Sequence, residues 1–401
     1  MKQTIFSTIA SVVESGDVPA PFFAFRPSVL KRAVQCFSRQ FNGQLLYAVK
    51  TNPELYVINQ LYDEGIRTFD VASLEEVRTI YEAVPGATLF FMHPVKSRQA
   101  IHKAYHEYGV RRFSLDSIQE LQKILEETNH ATDLHLFVRL AIPNSYSELN
   151  LGEKFGATMQ EAPALLAKAR AHAKGLGICF HVGSQCMHPD AYRIAMRMAG
   201  KVIKQSGVML EYFNVGGGFP SIYPGMIPVP LTDYFEAIHD EFAQINKGRN
   251  MQLLAEPGRA LVAESTSVIV RVDLRKGNTL YINDGTYGSL FDAGLLKFIF
   301  PVRIIRPGTS SDESADLVPF SFYGPTCDTL DFMKGPFYLP ECIGEGDHIE
   351  IGQLGAYGRT LATRFNGFSH HPEVITVSDE PLMTMYDEAH ISERPLEIIA
   401  A

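Results

Sequence analysis

The chain has 401 residues, 46% hydrophobic and 20% charged, with 31 Gly and 23 Pro scattered along it, the balance of a globular protein long enough for two domains. A net charge of -9 and a pI near 5.8, with no basic run, exclude nucleic acid as an expected partner. The early residues lack a secretory pattern and no apolar run reaches the roughly 18 residues of a bilayer span, so a cytoplasmic protein with no membrane partner is expected.

Ile5, Ile9, Val12 and Val13 share the spacing of one face of a short helix. The run PFFAF at 21–25 has no helical partner and is expected to join a β domain. From residue 45, eight short β-prone runs follow: LLYAVKTN, RTFDVAS, TLFFMHPV, RRFSLDS, LHLFVRL, GICFHVGS, EYFNVGGG and MQLLAEPG. Between them lie helical stretches such as 74–84, 118–127, 162–173 and 192–204. Eight βα units predict a parallel (β/α)8 TIM barrel over 28–260, with an open doubly wound sheet as the competitor. After Arg259 the runs STSVIVRVDLRK, TLYIND, HIEIGQ and LATRFNGF alternate between turns. They predict a C-terminal all-β domain over 261–401, to which residues 1–27 contribute a strand.

Polar and ionisable residues sit at the trailing ends of the runs, where a barrel gathers its active site: Lys50, Asp70, His93, Arg139, His181, Gly216 to Gly218 and Glu256. A lysine in an apolar strand either snorkels, pairs with an acid or is functional. NVGGG offers backbone N–H groups without Cβ obstruction, an anion nest or simply a tight turn. The following FPSIY lacks the G-x-G-x-x-G helix start, so phosphate fits better than a dinucleotide. Glu256 is placed to hold a pyridine nitrogen or to pair with Arg259, and His181 to lie on a ring face or fill a core. Ser184 is an ordinary phosphate donor. Cys36, Cys179, Cys186, Cys327 and Cys342 form no CxxC pair and fit a reducing compartment. His370 and His371 are adjacent without spaced partners, so no metal site is expected.

Taken in order, YAVKTN, FDVAS, FHVGSQ, NVGGGFP, LAEPGR, YINDGTYGS, GPTCDTLD, LGAYG and FNGF resemble the motifs of the fold-type III pyridoxal-phosphate (PLP) decarboxylases, the ornithine, diaminopimelate and arginine group, over nearly the whole chain. The resemblance implies an alanine-racemase-like barrel with a C-terminal β domain and pyridoxal 5'-phosphate as cofactor. Lys50 resembles the Schiff-base lysine, His181 the ring-stacking histidine and Glu256 the pyridine-nitrogen partner. Ser184, Gly217, Gly218, Gly258, Arg259 and Tyr357 resemble phosphate ligands, and Asp70 and Arg139 match positions near the lysine and cofactor. Cys327 matches the residue that reprotonates the carbanion across a homodimer interface. Asp328, from the second subunit, matches a holder of the substrate's distal amine, with Tyr287 and Phe365 as further substrate contacts.

The CDTLD form is similar to the ornithine branch, which implies a basic L-amino acid, ornithine or lysine, a diamine product and a place in polyamine biosynthesis. One departure stands out: Leu296 falls where that branch carries an acid for the distal amine, Lys297 follows it, and Asp292 is the nearest substitute. The alternatives are a decarboxylase of another amino acid or conjugate, a racemase, and a non-catalytic regulatory homologue.

Overall fold

Eight strands close into a parallel barrel in the computed structural model, which describes residues 5–142, the backbone of 147–149, and residues 154–306, 316–368 and 372–386. We number these barrel strands β1 (Gln44–Ala48), β2 (Thr68–Val71), β3 (Thr88–Phe91), β4 (Arg112–Leu115), β5 (His135–Arg139), β6 (Gly175–Cys179), β7 (Tyr212–Asn214) and β8 (Gln252–Ala255). Each pairs in parallel with the next, and β8 returns to β1. All eight apolar runs supply barrel strands, so the closed barrel and not the open sheet is the architecture. His370 and His371 lie outside the described residues.

The barrel closes because its strands turn one set of side chains inward. Leu46, Phe90, Met92, Phe137, Cys179 and Leu254 form one buried cluster, and full burial of such a side chain contributes about 1.5–3 kcal/mol. Several crossover helices begin on a serine. Ser73, Ser97 and Ser117 accept from the N–H groups of Glu76, Ala100 and Glu120, each cap contributing roughly 1 kcal/mol.

Among the described residues, 34–220 and 228–258 form one compact unit, and 5–33, 221–227 and 259–386 the other. In the second unit the long strand Thr266–Lys276 is the hub. It pairs antiparallel with Phe22–Phe25, His348–Ile351 and Thr279–Ile282, and Phe22–Phe25 also pairs in parallel with Val374–Val377. Val268, Val270, Val272, Phe322 and Phe337 lie in its core. Beside that core Arg26 is fully buried against Glu350 at 2.7 Å, and Ser267 donates to the same carboxylate. Removing one partner of such a pair would strand a buried charge, at about 3–5 kcal/mol.

Two local expectations change. Ile5 belongs to a two-residue strand, Ile5–Phe6, and is 66% exposed, so the helical face is carried by Ile9 and Val12 of Ile9–Ser15. LATRFNGF is not a strand: it forms 3-10 turns at Arg359–Leu361 and Phe365–Gly367. Asn366 and Gly367 have φ of 52° and 78°, in the left-handed region that extended pairing does not use.

Candidate active site

Lys50 lies two residues beyond the end of β1, in the 3-10 turn Val49–Thr51. Its Nζ is 3.6 Å from Oδ2 of Asp70 in β2. The lysine side chain is 43% exposed, whereas that of Asp70 is 4% exposed, so a partly solvated amine is held beside a buried carboxylate. Glu76, on the helix Leu74–Ala83, adds a second acid nearby and accepts from Ala72 N at 2.7 Å. Burial pushes the Glu76 carboxyl up to about 7 and Asp70 adds repulsion, against the Ala72 hydrogen bond and the Lys50 charge.

Glu256 follows β8 and is 8% exposed. Burial, then Asp70, pushes its carboxyl up to about 7, while Lys50, the Asn214 hydrogen bond and Arg139 pull it down. Asn214, the last residue of β7, donates to Glu256 Oε1 at 2.7 Å and accepts from Gly216 N at 2.8 Å. One buried amide therefore ties the carboxylate to the start of the glycine run. His181 keeps some exposed surface, but its imidazole is held well below its ordinary pKa by burial, with Lys50 and Arg139 adding repulsion. Its Nδ1 accepts from Gly183 N at 3.0 Å, which makes it a neutral ring.

The glycine run is shaped by close backbone approach. Gly216 has φ of 69°, and a Cβ there would lie 1.9 Å from the Phe180 carbonyl oxygen. At Gly217 and Gly218 a Cβ would meet the Glu256 and Gly183 carbonyl oxygens at 2.7 and 2.5 Å. Tyr192 donates to the Gly217 carbonyl at 3.0 Å, fixing the turn. Gly258 is equally tight, with Thr51 Oγ1 2.2 Å from an added Cβ. Ser184 begins a short strand paired with Ser147–Leu149, and the Arg139 guanidinium stands 5.5 Å from the Phe155 ring centre. His93 packs edge-on against the same ring at 5.1 Å. Lys50, Asp70, Arg139, His181 and Glu256 are thus gathered at one end of the barrel.

The remaining predicted residues lie in the second unit, in two groups. Arg259 donates to the Tyr223 hydroxyl at 2.7 Å and to Asp292 at 3.2 Å, with the Tyr357 ring centre 4.9 Å from its central carbon. The other group is Cys327, Asp328, Tyr287 and Phe365. Cys327 is exposed and its N–H donates to Asn366 Oδ1 at 3.0 Å. The Tyr287 hydroxyl donates to Asp328 Oδ2 at 2.5 Å, and its ring lies 4.9 Å from that of Phe365. The Leu330 N–H, then Tyr287, hold the Asp328 carboxyl below the usual range, so it is ionised at neutral pH. Leu296 packs against the core of this unit. Asp292 is committed to Arg259, so it cannot stand in for the acid missing at Leu296.

Glu76 and Asn214 went unassigned in the sequence. Glu76 ends the capping-box pattern SLEE, three residues after the N-cap Ser73, where a glutamate is explained by the helix start alone. Asn214 could have been found as the polar residue preceding the glycines. A cavity of about 510 Å³, lined partly by Tyr81, Tyr108 and Arg111, lies at the opposite end of the barrel, around Thr88 and Arg112, where β3 and β4 begin. Among the described residues no cluster of three or more His, Cys, Asp or Glu side chains is placed to hold a metal, and no helix is long and apolar enough to cross a membrane.

A buried carboxylate, a neutral imidazole, an amine beside an acid and a glycine cradle with no room for Cβ atoms fit pyridoxal phosphate. Residues 28–263 match the family model for the pyridoxal-binding domain of pyridoxal-dependent decarboxylases. The lysine/ornithine decarboxylase of Selenomonas ruminantium is 31% identical over 91% of this chain and 91% of its own length. Antizyme inhibitor 2 of Xenopus laevis is 29% identical over 91% of this chain and 82% of its own. The solved structure of SrLDC in complex with PLP and cadaverine, 28% identical, superposes with a TM-score of 0.79 over 94% of this chain and 95% of that one. The chain belongs to the pyridoxal-dependent decarboxylases, as a fold-type III, PLP-dependent amino-acid decarboxylase built on an alanine-racemase-like barrel with a C-terminal β domain.

Proposed function

We propose that this enzyme decarboxylates a basic L-amino acid, ornithine or lysine, to carbon dioxide and the corresponding diamine. In this reading it works as a cytoplasmic homodimer that supplies polyamine biosynthesis, with a barrel domain over 28–260 and a β domain drawn from 1–27 and 261–401. The observation that carries the proposal is Lys50 Nζ, 3.6 Å from Asp70, on the rim that also holds His181 and Glu256.

Lys50 would hold the cofactor's aldehyde carbon, His181 would cover one face of its ring and Glu256 would pair with its pyridine nitrogen. Ser184, Gly217, Gly218, Gly258, Arg259 and Tyr357 would hold its phosphate, with Asp70 and Arg139 setting the charge around the amine. When bound, pyridoxal phosphate supplies an electron sink for the pair left behind by the departing carboxylate. Asp70 keeps the Lys50 amine oriented, and Glu256 supplies negative charge where positive charge must be stabilised. After carbon dioxide leaves, the Cys327 thiol gives its proton to the α-carbon. Its exposure in the single chain suits a residue that works in a second subunit's site.

The substrate class rests on Asp328. Its carboxylate is ionised, oriented by Tyr287 and exposed, ready for a terminal ammonium, while Phe365 beside Tyr287 offers an apolar wall for the methylene chain. Leu296 and Asp292 are both occupied elsewhere, which leaves Asp328 to read the distal charge. The likeness to antizyme inhibitor 2 favours a second reading, a non-catalytic regulatory homologue. The presence of Lys50, Cys327 and the phosphate residues supports the catalytic reading over it.

The test is spectroscopic and chemical together. The purified protein should show a visible absorption band that borohydride abolishes, with the reductive label on Lys50. A panel of amino acids should release carbon dioxide and amine from ornithine or lysine. Labelling without turnover would favour the regulatory reading, and turnover of a neutral or acidic amino acid alone would overturn the substrate class.

A further inference from the structure

The second unit contains a buried acid that the proposed chemistry leaves unused. Asp292 is 5% exposed, and its Oδ2 lies 3.2 Å from one terminal nitrogen of Arg259. The other terminal nitrogen donates to the Tyr223 hydroxyl at 2.7 Å. The rings of Tyr223, Phe298 and Tyr357 stand with their centres 5.7, 5.2 and 4.9 Å from the guanidinium carbon. Arg259 Nε is buried and has no hydrogen-bond acceptor among the described residues. A guanidinium carries five donors in a fixed fork, and this cage engages each terminal nitrogen once and Nε not at all.

Two of these contacts already fix the arginine without Asp292. The Tyr223 hydroxyl sets the direction of one terminal nitrogen, and the aromatic faces are attractive to the cation on their own. The carboxylate adds charge more than geometry. In a dry pocket a cation shared between two anions holds each less firmly than it would hold one. Burial pushes the Asp292 carboxyl up from its ordinary range and Arg259, 3.2 Å away, opposes this.

Resting on the reading of Arg259 as a phosphate ligand, we propose that Asp292 is a resident counter-ion that weakens this arginine's hold on the cofactor's phosphate. It touches no reacting atom and acts through Arg259. The cofactor would then be held less tightly than the rest of the cradle allows, and would exchange with the free pool more readily.

Asp292→Asn keeps the shape and the acceptor oxygen but removes the charge. Equilibrium dialysis of the cofactor-stripped protein against pyridoxal phosphate, and separately against pyridoxal, reads the effect. The variant should bind pyridoxal phosphate about tenfold more tightly, about 1.4 kcal/mol, with pyridoxal unchanged. Unchanged or weaker binding of pyridoxal phosphate overturns the proposal, as does an equal gain for pyridoxal, which would place the action on the ring. If D292N does not fold, Asp292→Ser makes the same charge change with a smaller side chain and is judged by the same outcomes. A wild type that binds pyridoxal as tightly as pyridoxal phosphate would overturn both Arg259 as a phosphate ligand and the counter-ion. A wild type that prefers pyridoxal phosphate, with both variants keeping its affinity, would overturn the counter-ion alone.

Discussion

Replacing Glu256 by Gln isolates one buried negative charge at the barrel rim. The carboxyl is pushed from 4.5 to about 7, chiefly by burial and by Asp70. At about 1.4 kcal/mol per pKa unit, holding it ionised costs the cofactor-free protein roughly 3 kcal/mol. Because the folded value lies above the unfolded one, the contribution is fully present below about pH 4.5 and is lost as pH rises through 7. Gln keeps the Asn214 hydrogen bond, which is 2.7 Å in the wild type, and has no charge to strand. Cofactor-free E256Q is therefore expected to be more stable than the wild type at pH 8 by up to roughly 3 kcal/mol, with the gap shrinking toward pH 5. Urea unfolding at several pH values measures this directly. If Glu256 pairs with the pyridine nitrogen as proposed, the same variant should lose about 10²–10³ in kcat. A variant no more stable at pH 8, or a gap that does not change with pH, would refute the account of Glu256 as a destabilised buried anion.

Three further outcomes are expected. Glu76→Gln should flatten the stability of the cofactor-free protein between pH 5 and 7, because the Glu76 carboxyl, at about 7 when folded, loses its contribution over that interval; an unchanged slope in urea melts would contradict this. Gly216→Ala places a Cβ 1.9 Å from a carbonyl oxygen at φ of 69°, and should destabilise the fold by roughly 2–4 kcal/mol while weakening cofactor binding, as read by denaturation and absorbance titration. Asp328→Asn should raise KM for ornithine or lysine by about tenfold or more with a smaller change in kcat; an unchanged KM would remove Asp328 from substrate recognition.

The barrel was legible because its strands are buried on both faces, so each reads as an apolar run bounded by turn residues, from LLYA to QLLA. The rim positions were legible for a related reason: an ionisable residue ending such a run has to be accounted for. Other features were hidden because the sequence offers a sufficient local explanation. Glu76 fits the sequence pattern of a capping box, so its neighbourhood to Lys50 leaves no separate trace. Asp292 reads as one more acid after a turn, and only the folded unit shows it spent on an arginine 33 positions earlier in the chain. LATRFNGF alternates like a strand, yet the left-handed backbone at Asn366 and Gly367 turns it away from any ladder. Lys50 was assigned to a strand and stands in a 3-10 turn just past it, a shift of the kind that separates a packed position from one facing the opening.

The Asn214 amide, joined on one side to Glu256 and on the other to Gly216, makes the buried carboxylate and the glycine run share one mechanical part. Substitutions at Glu256 and Gly216 will therefore not sum: each alters the hinge on which the other depends, and their double variant should carry an interaction energy of about 0.5–3 kcal/mol. Efforts to redesign this rim will have to vary the two positions in combination, since a change at either one already disturbs the setting of the other.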